Sequence, residues 1–287
     1  MEDAERPLLA SKVEKGRWTW GDVWNKCLCL LVISPIIYSL VVFAVHGVKN
    51  DLGWHTKYKD GQVFDEAGRR IFRVAFFGDS LIQFSDNDWG LVTHVMTKLQ
   101  RTYPRLALDA ISTGEGGNQV LNLLHRVDHD VLAHKPDCIV IYFDSDATDR
   151  ADADEPGTKN RYFDDISQLL RICTRQSPGC VALGGPTLFG ELPRGRNSRD
   201  NVLDDYVKIN AQASAALNVT YFHTRDLFFD NLPSSWILPS GYLTMDGEHH
   251  NADGVALVQH VFETWLVDKF RSIAAKDAQA NEHGGKT

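Results

Sequence analysis

Three residues of this sequence have the side chains that nucleophilic acyl transfer requires. Ser80 follows an apolar run within a Phe-Gly-Asp-Ser-Leu segment, and Asp246 and His249 lie three residues apart near the other end of the chain. A serine hydroxyl needs a base within hydrogen-bond reach and an acid that orients that base. The pattern predicts that His249 is the base for Ser80 and that Asp246 holds its imidazole in one tautomer.

The same residues also have an ordinary structural interpretation. Ser80 could cap a following helix, and the histidines could be surface residues beside an N-cap at Asn251 or Asp253. His250 competes with His249 for the role of base. Position alone therefore leaves catalysis and helix capping open as explanations.

Short apolar runs alternate with helical patterns along most of the chain. Strands are predicted at 71–77, 106–111, 138–143, 181–183 and 219–222, and helices at 89–99, 120–132, 163–173, 199–217 and 254–270. This alternation indicates β-α-β units with right-handed crossovers. We expect a three-layer α/β/α sandwich with a central parallel sheet of about five strands, similar to flavodoxin in its layers.

Polar or glycine-rich segments follow the first three predicted strands. They begin at Gly78, Ser112 and Asp144. In open parallel sheets the chemistry lies outside the carboxyl ends of the strands, so these segments should meet along one edge. Ser80 would lie there at the N-terminus of the next helix, with its own N–H facing a developing oxyanion. This coincidence is the main argument from the residues for an active site.

These segments resemble the sequence blocks of the SGNH hydrolases, also called GDSL esterases. The Gly-Asp-Ser-Leu segment at Ser80 matches the first block, and Asp246 to His249 matches the last block, Asp-x-x-His before the terminal helix. The Asn-x-Gly-x-x-Gly block aligns with residues 112–117. The extended first block, with Trp-Gly at 89–90, most resembles the isoamyl acetate-hydrolysing esterases. The similarity covers roughly residues 71–270.

The resemblance implies roles for individual residues. Ser80 would be the nucleophile, His249 the base and Asp246 its orienting acid. The backbone N–H groups of Ser80 and Gly117 would donate to the oxyanion. The resemblance implies neither a metal nor a cofactor, and it implies cleavage of carboxylic esters, with a short or acetyl acyl group, through an acyl-enzyme. The substrate would be a small molecule, an acetylated glycan or a lipid.

One block departs from the family pattern. The family has Gly-x-Asn-Asp after the third strand, and here Asp146 stands where an asparagine would donate to the oxyanion. An ionised carboxylate cannot donate a hydrogen bond. Asp146 is then protonated in a buried site, or points away, or marks a catalytically impaired binding module.

A second alternative concerns the same segment. Asp144-Ser145-Asp146 after an apolar strand resembles the Asp-x-Asp motif of Golgi glycosyltransferases, with Asp149 as a further ligand of Mn²⁺ or Mg²⁺. This hypothesis leaves Ser80 and His249 unexplained, so we rank the esterase first.

An apolar run at 27–48 is long enough to cross a bilayer, since about 20 apolar helical residues suffice. Basic residues are more numerous before it than after it, which favours a cytoplasmic N-terminus and a lumenal or extracellular catalytic domain. This orientation predicts a single-pass type II membrane protein of the secretory or endomembrane system. A cleaved signal peptide is the alternative, but its apolar part is usually shorter, about 7–15 residues.

The chain divides accordingly into five segments. These are a cytoplasmic tail at 1–26, a transmembrane signal anchor at 27–48, a stalk at 49–70, the catalytic domain at 71–272 and a disordered tail at 273–287. The net charge of −8 gives no electrostatic support for nucleic-acid binding.

The cysteines and one glycosylation sequon bear on the compartment. Cys173 and Cys180 flank a Pro-Gly turn that could bring them together as a disulfide in an oxidising lumen. Cys138 lies in a strand-like run and should pack in the core. The Asn-Val-Thr sequon at Asn218 is compatible with a lumenal domain and predicts a glycoprotein.

Overall fold

A computed structural model describes residues 58–59, 62–83, 85–87, 90–144 and 152–284, with only the backbone of 276–284. The strands are β1 (Ile71–Gly78), β2 (Ala107–Gly114), β3 (Cys138–Tyr142), β4 (Val181–Gly184) and β5 (Thr220–Phe222). The α-helices are α1 (Leu91–Thr102), α2 (Val120–Asp130), α3 (Pro156–Gln176), α4 (Asp200–Ala216), α5 (Thr224–Asn231) and α6 (Ala252–Gly284), and Leu132–His134 form a 3₁₀ turn.

The five strands form one sheet in the order β2-β1-β3-β4-β5, and every neighbouring pair is parallel. The predicted parallel sheet of about five strands is confirmed. All eight residues of β1 are buried, as expected for an apolar strand covered on both faces. Gly78 at its end lies opposite Gly114 of β2 and Tyr142 of β3, so the carboxyl ends of three strands meet at one edge.

Helices cover both faces of the sheet, which gives the three predicted layers. Side chains of β1 alternate between the faces. Phe72, Val74 and Phe76 pack on one side with α1 and α6, and Ala75 and Phe77 pack on the other with α2 and α3. The sheet is therefore a rigid base whose carboxyl edge carries the loops.

Several helices differ from their predicted lengths. α6 continues to Gly284, well past the predicted end at residue 270, so the predicted disordered tail is helical over 273–284. Phe270 is the last apolar residue of the periodic pattern, but the Ala-, Lys- and Gln-rich residues that follow favour helix. α3 begins earlier than predicted, at Pro156, because proline suits the first helical turn. α5 has only a weak apolar pattern, and we did not predict it.

The disulfide joins a different pair from the one suggested by the sequence. Cys138 and Cys180 are bonded, with their Cα atoms 4.7 Å apart, and Cys173 is a buried free thiol whose pKa burial raises to about 12. The expected Cys173–Cys180 bond is wrong because these two residues face opposite sides of the sheet. Cys138 opens β3 and Cys180 immediately precedes the adjacent β4, so the sheet itself brings them together.

The predicted membrane span at 27–48 and the tail at 1–26 lie outside the described residues, as does much of the stalk at 49–70. Among the helices that the structure does describe, none combines the length and apolar character needed to cross a membrane.

Candidate active site

Ser80 lies in a tight turn directly after β1. The carbonyl oxygen of Asp79 accepts hydrogen bonds from the N–H groups of Ile82 at 3.2 Å and Gln83 at 2.9 Å, which close the turn. The next helix begins only at Leu91, so the expectation that Ser80 lies at a helix N-terminus is wrong. The turn, as an extension of the buried strand, fixes the direction of the Ser80 side chain.

Glycines allow this turn to lie directly against its neighbours. A Cβ on Gly78 would be 1.8 Å from the carbonyl oxygen of Tyr142, and a Cβ on Gly114 would be 2.1 Å from the backbone nitrogen of Gln83. No side chain fits at either position without backbone movement. The N–H of Gly116 donates to the side-chain oxygen of Gln83 at 2.9 Å, which ties the loop after β2 to the turn that carries Ser80.

The three predicted catalytic side chains come together in one continuous line. Ser80 Oγ is 3.0 Å from Nε2 of His249, and Nδ1 of the same ring is 2.7 Å from Oδ2 of Asp246. The other carboxylate oxygen of Asp246 accepts hydrogen bonds from the N–H groups of His249 at 2.8 Å and Glu248 at 3.0 Å. Both oxygens of Asp246 therefore bind the segment that carries the histidine.

The electrostatics of Asp246 suit an orienting acid. Burial on its own would raise the pKa of this carboxyl, but hydrogen bonds from the His249 side chain and from the backbone of His249 and Glu248 lower the pKa below its ordinary value. Asp246 is therefore ionised at neutral pH. An ionised partner holds the imidazole proton on Nδ1 and leaves Nε2 free to accept the hydroxyl proton of Ser80.

The competing candidate, His250, lies in a different environment. Its Nε2 is 3.4 Å from the hydroxyl oxygens of both Tyr142 and Thr187, and its ring centroid is 4.6 Å from that of Phe228. Burial, together with a smaller contribution from the neighbouring His249, lowers the pKa of His250 to about 3. His250 is a neutral packing residue, and the geometry assigns the contact with Ser80 to His249 alone.

Two of the predicted oxyanion donors are described. Within the described residues, the backbone N–H groups of Ser80 and Gly117 have no hydrogen-bond acceptor. Gly117 has a φ of +76°, and among the described residues beyond its chain neighbours no atom lies within 4 Å of the place where its Cβ would be. A Cβ on the adjacent Gly116 would be 3.7 Å from that of Ser80, so this loop passes beside Ser80. The third predicted donor, Asp146, lies outside the described residues.

Asp144 is the described part of the Asp144-Ser145-Asp146 segment, and its carboxyl is turned inward. Oδ1 accepts hydrogen bonds from the N–H of Thr187 at 2.8 Å and from its hydroxyl at 3.0 Å, and the N–H of Asp144 donates to Oδ2 of Asp79 at 2.6 Å. Burial raises the pKa of Asp144 well above its ordinary value, and the charge of Asp79 raises it further.

This environment does not suit the proposed metal motif. A buried carboxyl whose oxygens already accept hydrogen bonds from the N–H and hydroxyl of Thr187 is poorly placed to bind Mn²⁺ or Mg²⁺. In the part of the chain that is described, no group of three His, Cys, Asp or Glu side chains is placed to hold a metal. Asp144, the described aspartate of the Asp-x-Asp motif, therefore gives the glycosyltransferase alternative no support.

An open cleft of about 470 Å³ lies next to the acid end of the line. Its walls are the loop after β4 and the segment that carries Asp246. The lining residues are Phe189, Gly190, Leu192, Arg196, Asn197, Ser198, Pro239, Asp246, Gly247 and Glu248. The lining combines charged and amide side chains with aromatic and aliphatic groups.

Sequence reasoning missed two buried charged residues that hold the loops around the site. Arg225 is 1% exposed and donates to the carboxylates of Asp200 at 2.6 Å and Asp204 at 2.7 Å and to the carbonyl of Thr187 at 2.8 Å. Glu191, also 1% exposed, receives its hydrogen bonds from the segment before Asp246. Asp200 and Asp204, one turn apart on α4, could have indicated a basic partner such as Arg225. No sequence pattern around Glu191 indicates its role.

Comparison with known proteins agrees with this geometry. The model of the GDSL-like lipase/acylhydrolase family matches residues 76–257. An acetylxylan esterase from Geobacillus stearothermophilus is 25% identical over 205 residues, which are 66% of this chain and 91% of that protein. The crystal structure of the acetyl xylan esterase AlAXEase superposes with a TM-score of 0.58 at 24% identity and covers 68% of this chain and 98% of its own. That of Axe2 from Geobacillus stearothermophilus gives 0.56 at 22% identity, with 70% and 94% covered.

Proposed function

This chain belongs to the GDSL-like lipase/acylhydrolase family, and from that premise we propose that it hydrolyses carboxylic esters with Ser80 as the nucleophile. His249 is the base and Asp246 its orienting acid. The observation that carries the proposal is the unbroken line of hydrogen bonds, 3.0 Å from Ser80 to His249 and 2.7 Å from His249 to Asp246.

The mechanism follows from the geometry of this line. Ser80 Oγ attacks the ester carbonyl while its proton passes to Nε2 of His249, and the carbonyl oxygen becomes an oxyanion that accepts from the N–H groups of Ser80 and Gly117. The C–O bond to the alcohol then breaks, and the alcohol leaves with the proton from His249. Water, deprotonated by His249, attacks the acyl-enzyme and releases the acid and Ser80.

We propose a short acyl group, acetate above all. The support is that the Geobacillus stearothermophilus relative and two of the similar structures are named acetylxylan esterases. Arg196 and Asn197 in the cleft beside Asp246 supply polar groups that fit a hydroxylated alcohol, so acetylated carbohydrate is the first substrate class to test, before small-molecule acetates and lipid esters.

Ser80→Ala tests the nucleophile, with Ser85→Ala as its control. Ser85 lies five residues further along the same connection between β1 and α1, is 5% exposed, and its hydroxyl lies 3.5 Å from that of Ser112. We expect Ser80→Ala to lower the kcat for p-nitrophenyl acetate about 10⁴-fold or more and to abolish labelling by a fluorophosphonate, because the attacking oxygen is gone. Ser85→Ala should keep both.

Two results would contradict the proposal. Retained turnover in the Ser80→Ala variant would remove this serine from the mechanism. Ligand binding without turnover in a well-folded wild-type protein would instead support the impaired binding module.

For the location we propose a type II membrane protein, anchored by residues 27–48, with the esterase domain in an oxidising lumen or outside the cell. A Cys138–Cys180 bond is typical of such compartments, and Asn218 of the sequon is exposed. In a eukaryotic host, glycosidase treatment should shift the electrophoretic mobility of the wild type but not of Asn218→Gln. A protein that stays in the soluble cytosolic fraction would contradict the proposed location.

A further inference from the structure

We propose that Glu191 is a positioning residue whose buried carboxylate holds the segment carrying Asp246 and His249 in register with Ser80. This inference rests on the proposed function, because it assigns a role in the same site. It concerns the catalytic segment, residues 239–251, which lies between α5 and α6.

The carboxylate of Glu191 is surrounded by donors from consecutive residues of the catalytic segment. Oε1 accepts hydrogen bonds from the N–H groups of Leu243 at 2.6 Å and Thr244 at 2.5 Å and from the Thr244 hydroxyl at 2.8 Å. Oε2 accepts from the N–H of Tyr242 at 2.8 Å. Four donors thus converge on one side chain that is 1% exposed.

The chemistry of this pocket requires an acceptor at both oxygens. A carboxylate accepts at both and donates at neither, so it matches four converging donors. No arginine, lysine or histidine among the described residues forms an ion pair with Glu191, so these donors supply the stabilisation of its charge. An amide in its place would turn an NH₂ group toward the N–H donors and leave buried donors unpaired.

The anchored residues continue directly into the catalytic pair. The hydroxyl of Thr244 accepts from the N–H of Gly247 at 3.0 Å, and the N–H of Met245 donates to the carbonyl of His249 at 2.7 Å. The N–H of Gly190, the neighbour of Glu191, donates to the carbonyl of Gly247 at 2.8 Å. Asp246 therefore lies between Thr244 and Gly247, and hydrogen bonds tie both of these residues to the loop after β4.

Besides Glu191, the catalytic segment is held by an isolated bridge between Thr244 and His250 and by the Asn251 side chain, which donates to the carbonyl of Tyr242 at 3.0 Å. The catalytic pair itself is little buried. The side chains of Asp246 and His249 are 55% and 41% exposed, and the catalytic segment up to residue 251 has no helix or strand. Gly241 and Gly247 adopt positive φ values, which glycine reaches without steric strain. Because glycine has no side chain, these two residues also give the segment access to other backbone conformations. A segment of this kind needs a buried anchor to keep His249 within hydrogen-bond distance of Ser80.

The test compares Glu191→Gln and Glu191→Asp with the wild type in the full-length protein. We expect Glu191→Gln to lower the kcat for p-nitrophenyl acetate, and the rate of fluorophosphonate labelling, by about 10- to 100-fold, since a displacement of about 1 Å costs this much. The KM for this small substrate should change less than the kcat, because the loss falls mainly on the alignment of His249 with Ser80. Glu191→Asp keeps a carboxylate and should recover part of the loss.

Asp109→Asn is the matched control. Asp109 is 0% exposed and pairs with Arg73 at 3.3 Å, near the start of β2 and far from the carboxyl edge. This variant removes the charge of a carboxylate that is as deeply buried as that of Glu191. It should lower thermal stability and keep kcat and the labelling rate within about threefold of the wild type. The control separates loss of stability from loss of alignment.

Amide hydrogen exchange provides a readout that does not depend on turnover. In Glu191→Gln the amides of 242–244 should exchange faster than in the wild type and in Asp109→Asn, because their acceptor is lost. If Glu191→Gln keeps wild-type kcat and labelling, or exchanges no faster over 242–244, the inference is overturned. If the wild type itself has no Ser80-dependent turnover, the proposed function fails, and the exchange result alone then supports or overturns the anchoring by Glu191.

Discussion

The two halves of the site are positioned by different physical means. Ser80 extends a strand that is buried along its whole length, and the glycines at 78 and 114 let the turn lie against the sheet. Asp246 and His249 are about half exposed on a segment without regular structure, and hydrogen bonds to buried Glu191 hold that segment. The nucleophile half depends on packing and backbone geometry, and the acid–base half depends on polar anchors.

This difference has a consequence for how each half fails. A change in a close-packed turn strains the backbone and reduces the stability of the whole domain. A change in a polar-anchored segment can release two side chains and leave the sheet intact. Substitutions at the glycines that support the Ser80 turn should therefore lower mainly the stability, and substitutions at the polar anchors of the segment with Asp246 and His249 should lower mainly the rate.

The largest expected effect tests the acid–base half. We expect His249→Ala to lower kcat about 10⁴-fold with little change in melting temperature, because a half-exposed side chain is removed. His250→Ala is the control, since it removes a partly buried ring packed on Phe228. It should lower the free energy of unfolding by about 2 kcal/mol or more and reduce kcat less than about tenfold. The reverse order of the two kcat values would reassign the base to His250.

A smaller effect, on stability, tests the nucleophile half. Gly78→Ala places a Cβ 1.8 Å from the Tyr142 carbonyl and should lower the free energy of unfolding by about 3 kcal/mol. Gly157→Ala is the control, because its Cβ on helix α3 would come no closer than 3.7 Å to the side chain of Arg161. That change should raise stability by up to about 1 kcal/mol. Chemical denaturation measures both, and equal stabilities would contradict close packing at Gly78.

The sequence was sufficient for the parts of the fold with a strong local pattern. The sequence predicted the buried strands, because burial on both faces leaves a nearly continuous apolar run. It also predicted most of the helices between them and the order of the polar blocks. The spacing of Asp246 and His249 also indicated that the two side chains could meet. The contact of His249 with Ser80 spans 169 residues, so the sequence supported it through residue types and the resemblance to the family, and the 3.0 Å distance itself comes from the fold.

What the sequence did not reveal depends on tertiary contacts. Ser80 lies in a turn and not at a helix start, because α1 begins only at Leu91. Cys180 is near Cys173 in the chain, but the sheet places it against Cys138. Glu191 lies in a loop with glycine and proline neighbours, and nothing local marks it as buried.

The Cys138–Cys180 bond has a further consequence for the unfolded chain. It closes a loop of 42 residues that contains α3 and the whole of the third polar block. By chain-entropy reasoning, a closed loop of that length makes the unfolded ensemble less favourable by about 4 kcal/mol. Both cysteines lie at the amino ends of their strands, away from the Ser80 edge. We therefore expect the bond to raise the thermal stability of the domain and to have no effect on the rate at which the folded protein hydrolyses an ester.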